Sequence, residues 1–214
     1  MNTILFLPGL SADERMFHSI RNDFKHSQVL NWIEPKYKEP LSDYAYRLKQ
    51  ELKNDRKYFI VGVSFGGIVA LELSKHINST GCLLVGSISS PYGISFSNRQ
   101  LLKLFRLDSK KIIEASKFLH KRFSKYSPNH LRSKTRIFTG TKARFYSWAF
   151  EELSKWKPER INTPIYHVHG SNDEIFSINR VRPTKIIDGG KHNIMLSHSD
   201  VISRYIKEIL GQHN

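Results

Sequence analysis

Tyr58-Phe59-Ile60-Val61-Gly62-Val63-Ser64-Phe65-Gly66-Gly67 is the stretch on which the reading of the whole chain turns. Residues 58–63 form an unbroken apolar run, as expected of a central parallel strand covered on both faces. Ile68, Val69, Leu71 and Leu73 then read as a well-buried helix. A serine held at a sharp strand-to-helix turn takes a strained backbone, and its hydroxyl is pushed out above the sheet. The residues two before and two after it must be small, because the turn brings them close together. Gly62 and Gly66 meet that need, and Gly67 lets the helix pack closely on the sheet. The helix N-terminus adds free amides and a partial positive charge beside the hydroxyl. Ser64 is therefore the candidate nucleophile, with a serine that merely caps the helix as the alternative.

Working outward, residues 3–7 read as a short buried strand ended by Pro8-Gly9. Ser11-Ala12-Asp13-Glu14 has the form of a capping box, which predicts a helix starting at Ala12. Gln28 to Ile33 is a second strand candidate, and Leu41, Ala45, Leu48 and Leu52 predict an amphipathic helix over 42–53. Further strands are expected at 82–85, 164–169 and 184–187, and a closing helix from Asp200 to Leu210 with Gly211 as its cap. Strands alternating with helices argue for an α/β protein with a mostly parallel sheet and helices on both faces. The exception is roughly 91–157, where helical patterns run without strands. Phe145, Ala149, Leu153 and Trp156 give one stripe, and Ile112, Ala115 and Leu119 another. This reads as a helical insertion after the fourth strand, within a single domain spanning 1–214.

Composition sets limits. The chain has 214 residues, 39% hydrophobic and 25% charged, as in an ordinary globular protein, and no apolar run is long enough to span a bilayer. Met1-Asn2-Thr3 carries no basic residue and the apolar run behind it stops at Pro8-Gly9, so no secretion signal is expected. The lone Cys82 excludes an internal disulfide and reads as a buried thiol. A cytoplasmic location is the expectation. The net charge is +15, and between Arg99 and Lys157 there are 16 Lys or Arg against 4 Asp or Glu. That excess reads as a solvated basic surface, or as a site for an anionic substrate, an anionic membrane surface or nucleic acid.

With these residues in view, the chain resembles the α/β-hydrolase superfamily, as a small bacterial-type serine hydrolase. The likeness runs over almost the whole chain in order, the insertion excepted. Phe6-Leu7-Pro8-Gly9-Leu10-Ser11 resembles the family's oxyanion loop, with Pro8-Gly9 in place of the usual His-Gly. The leading antiparallel hairpin of larger members is not evident. In this family the triad runs nucleophile, acid, histidine. His169-Gly170-Ser171-Asn172-Asp173 resembles the acid loop and makes Asp173 the acid, with Glu174 in reserve and Asp108 and Asp188 behind it. Gly189-Gly190-Lys191-His192 resembles the histidine loop and makes His192 the base, in preference to His198. Lys191 stands where a glycine is often found. The resemblance also implies that the backbone amides of Phe65 and Leu10 form the oxyanion hole.

The resemblance implies that the insertion is a lid. Tyr92, Phe96, Phe105, Phe118, Phe123, Phe145, Tyr146 and Trp148 are available to line a pocket, although aromatics at helical spacing are more often core. His167 and His169 alternate on one strand and so face the same way. Two such ligands without a third make a weak metal site, and a structural role is expected. No Walker loop or dinucleotide fingerprint is present, so neither cofactor nor metal is expected. The expected function is hydrolysis of a small-molecule ester, thioester or other acyl substrate, an anionic one among the candidates, through an acyl-serine. The alternatives are acyl transfer or C–C hydrolysis on the same triad, or a non-catalytic module binding an anionic ligand or nucleic acid. No nucleic-acid motif is present, and the sequence leaves the oligomeric state open.

Overall fold

In the computed structural model, residues 2–10, 12–95, 140–157 and 160–211 are described. Six strands form one wholly parallel sheet in the order β2-β1-β3-β4-β5-β6. They are β1 (Thr3–Leu7), β2 (Ser27–Val29), β3 (Tyr58–Val63), β4 (Ser79–Val85), β5 (Ile165–Gly170) and β6 (Lys185–Ile187). The helices are α1 (His18–Arg21), α2 (Leu41–Leu48), α3 (Phe65–Ser74), α4 (Gly140–Lys155), α5 (Ile194–Ser197) and α6 (Ser199–Gly211). Strand order reverses between β1 and β3, so the carboxyl end of β3 lies at the topological switch, where open α/β sheets place their ligand crevice.

The period-two alternation of the strands sorts the core into two layers. Leu5, Leu7 and Ile60 point to one face, under α2, α3 and α4, whose Tyr44, Leu48, Ile68, Leu71, Trp148 and Ala149 complete that layer. Ile4, Phe6, Phe59, Val61 and Val63 point to the other, under α1 and α6 with Ile20, Ile202, Ile206 and Ile209. The two clusters explain why the central strands read as continuous apolar runs. Cys82 is fully buried on β4, and burial pushes its thiol pKa up to about 12.

Three expectations are modified. The helix expected at Ala12 begins as a 3-10 turn at Glu14–Phe17 and becomes α-helical only at His18. Asp13 is its cap. The Asp13 carboxylate accepts the Arg15 N–H at 3.0 Å and also binds the Arg15 guanidinium, which fixes the start there. Ser11 lies outside the described residues. The second strand is cut short at Val29: the hydroxyl of Tyr44 binds both the N–H and the carbonyl of Ile33, at 3.2 and 2.9 Å, so that residue has left the ladder. The helix expected at 42–53 ends in a 3-10 turn at Lys49–Glu51.

Of the expected insertion, residues 96–139 lie outside the described residues, and with them the Ile112, Ala115 and Leu119 stripe and the candidate residues Phe96, Phe105, Asp108, Phe118 and Phe123. The other stripe is buried as expected: Phe145, Ala149 and Leu153 on α4, and Trp156 just beyond it, join the first core layer. The Nε1–H of Trp148 donates to the carbonyl of Glu39, and Glu152 accepts the Leu41 N–H that opens α2. Trp156 donates to the buried Glu72 of α3 at 2.8 Å. Three separate hydrogen bonds thus tie α4 and the residue just beyond it to α2, the segment leading into α2, and α3.

Candidate active site

Ser64 follows β3 as the N-cap of α3, with φ 52° and ψ −121°, a conformation that favours glycine and costs a serine about 1–3 kcal/mol. Its N–H donates to Val85 O at 3.0 Å and its carbonyl accepts from Gly67 N–H at 2.9 Å and from the Ser87 hydroxyl at 2.6 Å. The turn is too tight for side chains on its flanks. A Cβ on Gly62 would lie 2.5 Å from the Gly67 Cα, and one on Gly66 would run into the Pro8 carbonyl. These contacts over-determine the strained residue and hold its hydroxyl above the sheet.

The β5 and β6 loops bring the other two residues to it. Asp173 is buried at the end of the β5 turn, and its Oδ1 accepts the backbone N–H groups of Ile175 at 2.8 Å and Phe176 at 2.9 Å. His192 sits on the loop after β6, its Nδ1 2.8 Å from Asp173 Oδ2 and 3.0 Å from Oδ1, and its Nε2 2.8 Å from Ser64 Oγ. A carboxylate only accepts, so Nδ1 carries the proton and Nε2 is left to accept from the serine hydroxyl. Burial works against ionisation of Asp173. The hydrogen bond and charge of His192, with the Phe176 N–H, outweigh it and hold the pKa below the usual carboxylate value.

Glu174, the reserve acid, is adjacent but exposed, and Asp188 binds the Ser171 hydroxyl instead. His198 pairs with Ser197 at the start of α6. The chain therefore brings Ser64, His192 and Asp173 together and leaves these rivals apart.

The β1 loop runs directly beside the serine, since a Cβ on Gly9 would touch the Ser64 Cβ at 3.6 Å. The Gly9 carbonyl accepts from Ala12 N–H at 3.1 Å and Trp32 Nε1–H at 3.3 Å. In a trans peptide, pinning that carbonyl orients the Leu10 N–H to the opposite side. Phe65 is the first residue of α3, where backbone N–H groups have no intrahelical acceptor.

A cleft of about 560 Å³ opens over the β4 and β5 loops, with Ile88, Ser89, Tyr92, Asn179, Arg180 and Arg182 among its lining. Tyr92 is 84% exposed there, whereas Trp148 packs against Phe65 and Phe145 against Trp148, and both belong to the core. Both arginines are exposed.

Several neighbours gave no signal in the sequence. Ser87 reaches Ser64 from the loop after the next strand, β4. Gly86, with φ +53°, passes under His192, where a Cβ would meet the His192 carbonyl at 2.9 Å. The Phe176 ring packs edge-on to His192 at 5.4 Å. All three are adjacencies across strands, which spacing along one chain does not reveal. Among the described residues no cluster of His, Cys, Asp or Glu fits a metal ion, and no helix is long and apolar enough to cross a membrane.

No protein-family model matches the chain, and no curated protein matches it by sequence. Solved structures do. MenH from S. aureus superposes with a TM-score of 0.72 at 18% identity, over 99% of this chain and 94% of that one. A thermophilic esterase from Thermogutta terrifontis gives 0.72 at 14%, over 99% and 90%. MGS-M2, an alpha/beta hydrolase enzyme from a Medee basin deep-sea metagenome library, gives 0.64 at 13%, over 98% and 89%. With the parallel sheet, its two helical layers and these likenesses in hand, the chain has the α/β-hydrolase fold.

Proposed function

We propose that the protein is a serine hydrolase that cleaves a small-molecule ester or thioester through an acyl-serine on Ser64. The observation that carries this reading is the continuous Ser64–His192–Asp173 hydrogen-bond chain, anchored on a serine with positive φ. In acylation, Ser64 Oγ bonds to the substrate carbonyl carbon while its proton passes to His192 Nε2. Asp173 holds the Nδ1–H tautomer and stabilises the imidazolium. The developing oxyanion takes hydrogen bonds from the Phe65 and Leu10 N–H groups. The carbonyl–leaving-group bond then breaks and His192 returns its proton to the leaving oxygen or sulfur. Water repeats the sequence to release the acid.

The cleft over the β4 and β5 loops takes the remainder of the substrate, and Arg180 and Arg182 in its lining favour a carboxylate or phosphate there. Esterases among the fold's neighbours fit the same chemistry. The test is hydrolysis of a chain-length series of p-nitrophenyl and coenzyme A esters by the wild type and by Ser64→Ala. Turnover lost in the variant supports the acyl-serine. Equal turnover in both, or none by the folded wild type on any ester, overturns it.

A further inference from the structure

Directly behind the acid lies a pair of imidazoles that the mechanism above does not use. His167 and His169 are successive inward positions of β5, 3% and 0% exposed. His169 Nε2 is 2.8 Å from the carbonyl oxygen of Phe176 and 3.2 Å from Asp173 Oδ2. On the other edge of the ring, His169 Nδ1 is 3.0 Å from His167 Nε2. Neither imidazole favours a charge here. Burial lowers the pKa of His167 to about 4 and lowers that of His169 too.

These distances fix the protons. Both neighbours of His169 Nε2 are acceptors, so that nitrogen carries hydrogen. A neutral His169 then has a bare Nδ1, which must accept, so His167 Nε2 carries hydrogen in turn. The remaining nitrogen, His167 Nδ1, is then the end of the chain. The order is His167 Nε2–H to His169 Nδ1, then His169 Nε2–H to Phe176 O. Phe176 is the residue whose own N–H donates to Asp173 Oδ1 and whose ring packs on His192. One imidazole therefore braces the turn that presents the acid, and places the positive end of an N–H dipole beside Oδ2, the oxygen 2.8 Å from His192.

We propose that His169 is a positioning residue for Asp173, that His167 locks it in the Nε2–H tautomer, and that the pair holds the acid loop at the orientation acylation needs. This rests on the serine-hydrolase reading. The roles differ: Asp173 touches the base, whereas His169 acts only through Asp173 and Phe176. An apolar replacement at 169 leaves the Phe176 carbonyl buried without its donor and lets the turn shift, and a displacement of about 1 Å at a reacting group costs on the order of 100-fold in rate.

The experiment compares wild type, His169→Leu, His169→Gln and His167→Leu, each checked for folding by its urea midpoint. It measures ester turnover and the rate of fluorophosphonate labelling of Ser64. The expected result is a kcat about 100-fold lower in His169→Leu with KM within about twofold. His169→Gln, which keeps an N–H near the same place, recovers most of the loss, and His167→Leu falls between. Nitrogen-15 NMR of the wild type is expected to show His169 as the neutral Nε2–H tautomer. An Nδ1–H tautomer or a charged His169 at neutral pH overturns the proposal, whatever the variants do. So does a kcat in His169→Leu within about twofold of wild type, or a glutamine variant no better than leucine. An unlabelled Ser64 in the wild type overturns the serine-hydrolase reading itself, and the positioning role with it.

Discussion

Replacing Asp173 by asparagine perturbs the candidate site with almost no change of shape, and the structure dictates how. Oδ1 accepts two backbone N–H groups, from Ile175 and Phe176, so the asparagine must turn its own oxygen to them. Its NH2 then occupies the Oδ2 place, 2.8 Å from His192 Nδ1. Two donors cannot face each other, and the oxygen 3.0 Å away at the Oδ1 place already serves two N–H groups, so His192 gives up its Nδ1 proton and carries hydrogen on Nε2, pointed at Ser64 Oγ. In that tautomer it cannot take the serine proton. Substitutions that impose the wrong tautomer on a Ser-His-Asp triad lower kcat by about 10⁴-fold, on the order of 5 kcal/mol of transition-state stabilisation. Substrate contacts are untouched, so KM stays within about threefold. The assay is steady-state hydrolysis of the best p-nitrophenyl ester, with fluorophosphonate labelling as a check independent of turnover. An Asp173→Asn protein that keeps more than about a tenth of wild-type kcat would refute the tautomer argument.

Three other outcomes follow from the same contacts. Ser64→Gly relieves the positive φ that Ser64→Ala retains, so both lose turnover but the glycine variant unfolds at higher urea, by about 1 kcal/mol; equal midpoints contradict the strain. Burial lowers the pKa of His167 to about 4 from its ordinary 6.5, so an unfolded chain binds a proton in that interval that the fold refuses. Stability is then full above about pH 6.5 and falls as the pH drops towards 4, by about 3 kcal/mol, with His169 acting in the same direction. Urea midpoints measured across that range should show a shallower decline in His167→Gln, and an unchanged decline would locate the effect elsewhere. Removing both cleft arginines, as Arg180→Ala with Arg182→Ala, should raise KM for an ester bearing a carboxylate roughly three- to tenfold and leave a neutral ester unaffected, as expected for exposed charges. Equal effects on both esters would detach the cleft from substrate charge.

How much of this was legible in the sequence follows from the range of each interaction. The apolar runs at 58–63 and 82–85 marked their strands because those residues are buried on both faces of the sheet. The Phe145, Ala149, Leu153 and Trp156 stripe marked a buried helix for the same reason. The apolar pattern at 28–33 overstates the length of β2 because the hydroxyl that takes up Ile33 comes from Tyr44, eleven residues on. The cap at Asp13 sets one local rule against another, since serine and aspartate both start helices.

At the candidate site, the three loops that carry Ser64, Asp173 and His192 each had a local pattern of glycines after a strand. The support around them had none. Ser87, Gly86 and Phe176 matter through contacts made between neighbouring strands and loops. The alternation of His167 and His169 showed only that they share a face; that the face lies against the acid is a property of the folded sheet.

The central claim is a live nucleophile at Ser64. It is tested most directly by treating the native protein with a fluorophosphonate and locating the adduct by intact and peptide mass spectrometry, with Ser64→Ala alongside. One adduct per chain is expected, on the peptide containing Gly62-Val63-Ser64-Phe65-Gly66, absent from Ser64→Ala and from heat-unfolded protein. A folded wild type that takes up no label, or that is labelled as fast in Ser64→Ala, would contradict it.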